Sequence, residues 1–184
     1  MKILKNLAGF MPILVVLFIF APALHGTPQD TDKILSDGEK LIQDNAPWRA
    51  LSLFQKALEN DEENPKLLTA AGKAAFLTND ISMSMDYLYA ALDLVPENYT
   101  ANLFLGKALR QQGQEMAADT MTQKDGFMMI EDSLKFFRKA IEVELKSAEP
   151  CLEQAYTLYA LYDYQGADEA AVQALERDPK STDA

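Results

Sequence analysis

The chain has 184 residues, and its 17 Lys and Arg against 28 Asp and Glu leave a net charge of −11. Such a surface repels phosphate backbones and anionic headgroups, which argues against nucleic acid as a partner; solubility is the plain meaning of the charge. Cys151 is the only cysteine, so an intrachain disulfide and the Cys-pair zinc patterns are excluded. His25 is the only histidine, and it stands beside a predicted cleavage region, which leaves a Ser-His-Asp or Cys-His site without its imidazole. No metal and no cofactor are expected, and any catalysis would fall to carboxylates, lysine or tyrosine.

Residues 1–23 read as a secretory signal. Lys2 and Lys5 form the positive end, residues 7–20 are apolar apart from Gly9 and Pro12, and Ala21-Pro22-Ala23 offers small residues for cleavage. An uncleaved anchor is the competing reading, because residues 7–24 carry no charge and lie at the lower edge of spanning length. Either way the positive end stays in the cytoplasm, and the rest is delivered outside it. The exported part then holds 15 cations against 28 acids, a charge of −13. Residues 24–30 form a polar linker in this reading.

From residue 31 the pattern is helix and turn, with no alternating strand pattern. Ile34, Leu35, Leu41 and Ile42 stand at helical spacing over 33–44, and Asn45-Ala46-Pro47 turns the chain into a second helix. Pro65 opens the next pair, with Asp80 as the N-cap of its second helix, and Pro96 closes it. Tyr99 begins a helix that Gly113 is expected to end. Residues 149–163 and 165–177 form the last pair.

The second helices repeat one another. Ala50-Leu-Ser-Leu-Phe-Gln-Lys-Ala-Leu-Glu59 returns as Ser133-Leu-Lys-Phe-Phe-Arg-Lys-Ala-Ile-Glu142, with looser copies at 84–93 and 167–176. Gly38, Gly72 and Gly106 recur every 34 residues, as do Ala50 and Ser84, and Ala57 and Ala91. That period, with helix-turn-helix content, resembles the tetratricopeptide repeat (TPR) family over residues 31–181. The small eighth place is Gly38, Gly72, Gly106 and Ala155, and the twentieth, expected to face it, is Ala50, Ser84, Ser133 and Ala167. The twenty-seventh is alanine throughout, at Ala57, Ala91, Ala140 and Ala174. Phe54, Leu88 and Phe137 fill a bulky place between, where Ala171 departs and should loosen the last repeat. The fourth place, often tryptophan in the family, holds Ile34, Leu68, Asn102 and Cys151. Asn102 is the sharpest departure, and Cys151 reads as a packed apolar residue.

The resemblance implies an all-α, right-handed α-solenoid of about four repeats, at 31–64, 65–98, 99–147 and 148–181. The third is long by 15 residues, which fall in 114–129 with Met116, Met121, Met128 and Met129. They are expected to lengthen both helices or to form a helical loop at one rim, either as a tolerated insertion or as a docking edge. Carrying over the family's concave groove places Lys66, Lys73, Phe76, Lys107, Arg110, Tyr156 and Tyr159 on the first helices. That set suits a peptide with acidic or C-terminal carboxylate groups and an apolar side chain. The clamp that grips acidic C-termini of cytosolic heat-shock chaperones is not matched, since Leu35, Glu39, Ala70, Thr100 and Phe104 stand at its polar positions.

Function is therefore expected to be non-enzymatic: an envelope scaffold or adaptor, periplasmic or secreted, or anchored in the inner membrane facing the periplasm. The alternative is a carboxylate hydrolase built on acidic clusters such as Asp61-Glu62-Glu63. The last repeat has no polar capping helix after it, so Val172 and Leu175 are expected to offer an edge for a homodimer or a partner.

Overall fold

The computed structural model describes residues 28–180; the predicted export segment lies outside them. Eight helices follow in four antiparallel pairs: α1 (Pro28–Gln43) with α2 (Pro47–Leu58), α3 (Pro65–Leu77) with α4 (Ile81–Leu94), α5 (Tyr99–Ala117) with α6 (Gln123–Val143), and α7 (Glu149–Ala160) with α8 (Tyr164–Arg177). There is no strand among the described residues, and the architecture is the helical-repeat solenoid that the 34-residue period implies. No helix among them is long and apolar enough to cross a membrane.

Helix starts follow local chemistry. The Asn64 side chain accepts from the amides of Lys66 and Leu67, Asp80 accepts from Met83, Asn98 from Ala101, and Asp163 from Gly166. Each satisfies amides that the helix itself leaves unbonded. α1 begins at Pro28, earlier than the predicted start at Lys33, so the last residues of the expected linker are helical. Proline is well tolerated there because the first turn needs no N–H from it, and Asp30 in that turn complements the helix dipole.

Within a pair, the glycine of the first helix is explained by the bulky residue of the second. A Cβ added at Gly72 would lie 2.5 Å from Leu88 Cγ, one at Gly106 would lie 2.6 Å from Phe137 Cε1, and one at Gly38 would collide with the Phe54 ring. Phe54, Leu88 and Phe137 are accordingly buried to within 1%. The small twentieth-place residue was expected to face the glycine, and in the second pair Ser84 does so, its Oγ donating to the Gly72 carbonyl at 2.9 Å and pinning the backbones together. In the fourth pair both partners are alanines, Ala155 and Ala171, and both are only half-buried.

The third repeat absorbs its extra residues as helix. α5 has 19 residues and α6 has 21, against 12 to 16 in the others. Gly113 does not end α5, as the sequence suggested, but lies buried inside it. A Cβ there would come 2.7 Å from the Gly126 carbonyl oxygen, so this glycine serves close helix approach and not a turn. The tip is closed by Thr122 Oγ1 donating to the Met116 carbonyl at 2.8 Å. Met121 and Met128 are exposed, whereas Met129 packs onto the core.

The first helices of successive pairs touch: α1 meets α3, α3 meets α5, and α5 meets α7. The second helices α2, α4, α6 and α8 have no comparable backbone approach to one another. The stack is thus tighter along the first helices and splayed along the second, which makes the former the inner face.

The glycine–ring contact predicts energetic coupling. Gly106→Ala should destabilise by about 1–3 kcal/mol through overpacking. Phe137→Leu in the same chain should recover about 1 kcal/mol of the loss, measured by a urea-unfolding double-mutant cycle.

Candidate protein-docking face

The seven residues expected in the groove lie on α3, α5 and α7, the helices of the inner face. Their four cations are not free. Lys73 Nζ meets Glu39 at 2.9 Å across the α1–α3 contact, and Lys66 meets Asp32 at 3.2 Å near the start of α3. Lys107 bonds Glu149 at 2.7 Å and Glu153 at 3.0 Å, and Arg110 also pairs with Glu153. Each cation meets a carboxylate on a neighbouring first helix, so the positive stripe is largely a set of inter-repeat clasps.

The clasps differ in weight. The Lys66–Asp32 pair is about two-thirds exposed on both sides, and such pairs contribute little. Glu153 is only 13% exposed and serves both Lys107 and Arg110, themselves mostly covered. Burial works against the Lys107 charge, but Glu149 and Glu153 outweigh it and hold its pKa above the ordinary 10.5. The sign follows: its stabilisation is complete below the unfolded-chain value and is lost as pH rises through the raised one.

Aromatic side chains gather beside this cluster. Phe76 and Phe104 meet edge to face at 5.5 Å, with Lys107 over the Phe104 ring at 5.3 Å. The Arg110 guanidinium lies 5.9 Å from both the Phe137 and Tyr156 rings. Tyr159 packs on Tyr164 at 5.4 Å, Tyr164 on Tyr162 at 6.4 Å, and Tyr162 on Phe127 of α6 at 6.5 Å. Tyr156, Tyr159, Tyr162 and Tyr164 are exposed at 48% to 69%. Contiguous exposed apolar surface of this kind marks interaction sites.

Sequence reasoning reached Tyr156 and Tyr159 but missed Phe127, Tyr162 and Tyr164. A signal for Tyr162 existed. Asn45, Asn79 and Tyr162 occupy the same place in their repeats, and all three have left-handed backbone, with φ of 57°, 63° and 64°. Asparagine tolerates that region; a bulky tyrosine is strained in it, and such strain clusters where a side chain has another task.

Other expectations fall on structural roles. Asp61 accepts a bond from Asn64 Nδ2 at 2.9 Å in the α2–α3 turn, and Glu62 and Glu63 are exposed there. No group of three or more His, Cys, Asp or Glu side chains among the described residues could hold a metal. Cys151 is fully buried, and burial raises its thiol pKa against the opposing pull of Arg177, so it is packed and poorly nucleophilic. Val172 and Leu175 on α8 are exposed at 54% and 38%.

Glu153→Ala should leave Arg110 without its carboxylate and Lys107 with Glu149 alone, and cost about 2 kcal/mol in urea unfolding, whereas Asp32→Ala should have no measurable effect.

No protein-family model and no curated protein matches the chain. Solved structures do. The chain is similar to TTC0263, a thermophilic TPR protein of Thermus thermophilus, at 19% identity and a TM-score of 0.71, over 80% of this chain and 74% of that one. It is similar to a MamA protein at 16% identity and 0.65, over 83% and 75%, and to a second MamA structure at 18% and 0.61, over 84% and 81%. At these identities the likeness concerns architecture, and the chain has the TPR-type helical-repeat fold.

Proposed function

We propose that the protein is a non-enzymatic scaffold that docks an extended peptide or a helix of a partner protein on its inner face. The observation that carries this reading is exposed Tyr156 beside Arg110 of the Lys107–Arg110–Glu153 clasp, with Tyr159 on the same helix and Tyr164 and Tyr162 continuing the aromatic surface around the α7–α8 turn. Tyrosine supplies large contact area at low entropic cost, which suits a docking surface. Lys66, Lys73, Phe76, Lys107 and Arg110 extend the site along α3 and α5.

A carboxylate on the partner would bind by exchange, displacing Glu39 from Lys73 or Glu149 from Lys107. Both acids are about half exposed, so exchange is open to them, but it trades one ion pair for another and adds little affinity. Apolar side chains against the tyrosines therefore carry most of the affinity, and charge sets orientation.

The signal-like residues 1–23 support export to the periplasm or the exterior, with an anchored form facing the periplasm as the second reading. Cell fractionation, with N-terminal sequencing of the recovered protein, decides between them. The uncovered Val172–Leu175 edge supports a homodimer or a stacked partner, which mass measurement in solution tests.

Tyr156→Ala with Tyr159→Ala should reduce capture of partners from envelope extract at least tenfold while leaving helicity unchanged. Unchanged recovery of the same partners would sink the reading. Tyr162→Asn should raise stability by about 0.5–1 kcal/mol by relieving the left-handed strain, and should weaken binding at the same time.

A further inference from the structure

On the outer side, the splay between α4 and α6 opens a cleft of about 460 Å³ lined by Leu92, Pro96, Asn102, Phe136, three basic side chains and Glu142. Leu92, Pro96 and Phe136 form its apolar part, and the Phe136 ring is buttressed edge-on by Tyr89 at 6.2 Å. Lys135, Arg138 and Lys139 supply the charge from α6. Lys139 is held by Glu142 at 3.2 Å and Glu97 at 3.6 Å. Lys135 and Arg138 have no ion pair among the described residues, and Lys135 only overlies the Phe136 ring at 5.5 Å. This is the reverse of the inner-face stripe, where Lys66, Lys73, Lys107 and Arg110 are all clasped.

Two departures from the repeat pattern meet at this cleft. Lys135 stands where the other second helices carry Ser52, Asp86 and Glu169, and Arg138 where they carry Gln55, Tyr89 and Val172. Across from them, Asn102 holds the place that is Ile34, Leu68 or Cys151 elsewhere. Its amide donates to the carbonyls of Pro96 at 2.9 Å and Asn98 at 2.8 Å, so it fixes the α4–α5 turn that forms one wall. Between α2 and α4 the corresponding gap is bridged, Gln55 Nε2 donating to Tyr87 Oη at 3.4 Å. No such bond crosses the α4–α6 gap among the described residues.

We propose that this cleft is a second docking site, distinct from the inner face, for an acidic segment of a partner protein. The segment lays an apolar or aromatic side chain over Leu92 and Phe136 and presents carboxylates to Lys135 and Arg138. Two unclasped cations around an apolar floor, in a protein of net charge −11, set the chemistry. Pro96, Lys135 and Arg138 are exposed, so the cleft is open outward. It therefore suits a chain lying across it better than an enclosed small molecule.

The test uses the full chain and a fluorescein-labelled hexapeptide, Glu-Phe-Glu-Leu-Glu-Phe, with a Gln-for-Glu counterpart, followed by anisotropy. Saturable binding of the acidic peptide is expected, at least tenfold weaker for the Gln peptide. Lys135→Glu with Arg138→Glu should weaken it at least tenfold with the melting temperature unchanged, while Tyr156→Ala with Tyr159→Ala leaves it intact. Absence of saturable binding, or equal binding of both peptides, overturns the proposal, as does an affinity indifferent to the charge reversal. Loss through the tyrosine variant instead assigns the peptide to the inner face and removes the second site. Binding of phosphatidylserine vesicles that the charge reversal abolishes, with no peptide binding, overturns it in favour of a membrane surface.

Discussion

Everything in this structure depends on one close contact made three times: a glycine backbone on the first helix of a pair pressed against a bulky side chain of the second. Gly38 with Phe54, Gly72 with Leu88 and Gly106 with Phe137 leave no room for even a methyl group. The contact sets how closely two helices approach, and a helix pair that cannot bury its own outer faces must stack on another. The alanines Ala57, Ala91 and Ala140 are the next requirement, since they let the following pair come near. Gly113 against Gly126 extends the same device into the lengthened third repeat.

Stacking through the first helices has two electrostatic consequences. Side chains on adjacent first helices come within salt-bridge range, so the cations of the inner face find carboxylates within the protein: Lys73 with Glu39, Lys107 and Arg110 with Glu153. The groove is thereby preorganised but nearly neutral, and its recognition capacity shifts to the tyrosines. The second helices stand further apart, and side chains there are not obliged to meet. Where Gln55 bridges to Tyr87 the gap is closed; where α6 carries Lys135 and Arg138 it remains open and positive.

Much of the fold was legible because repetition is a strong signal. The 34-residue spacing of Gly38, Gly72 and Gly106 implied four helix pairs, and Asp80 announced its own capping role. Gly113 was misread because a glycine in a polar stretch looks like a helix stop; only the neighbouring α6 backbone explains it as a packing residue. The candidate site was legible at the level of which side chains share the inner face. It was not legible at the level of charge, since pairing of Lys107 with Glu149 and Glu153 joins residues separated by more than one repeat length, across an insertion. The aromatic surface was only half visible, because Phe127 on α6 approaches Tyr162 solely through the stack, and Tyr164 meets Tyr159 only because the α7–α8 turn folds the chain back.

The sequence by itself determined the repeat, the order of its helices, the small and bulky places in each, and the exclusion of an intrachain disulfide. Those are local or periodic properties, set by composition and spacing along one chain. Only the tertiary structure decided which cations are neutralised, which tyrosines form one surface, and where a gap between helices becomes a cleft. These depend on distances between side chains on different repeats, and those distances are fixed by the packing of glycine against ring and not by any spacing in the chain.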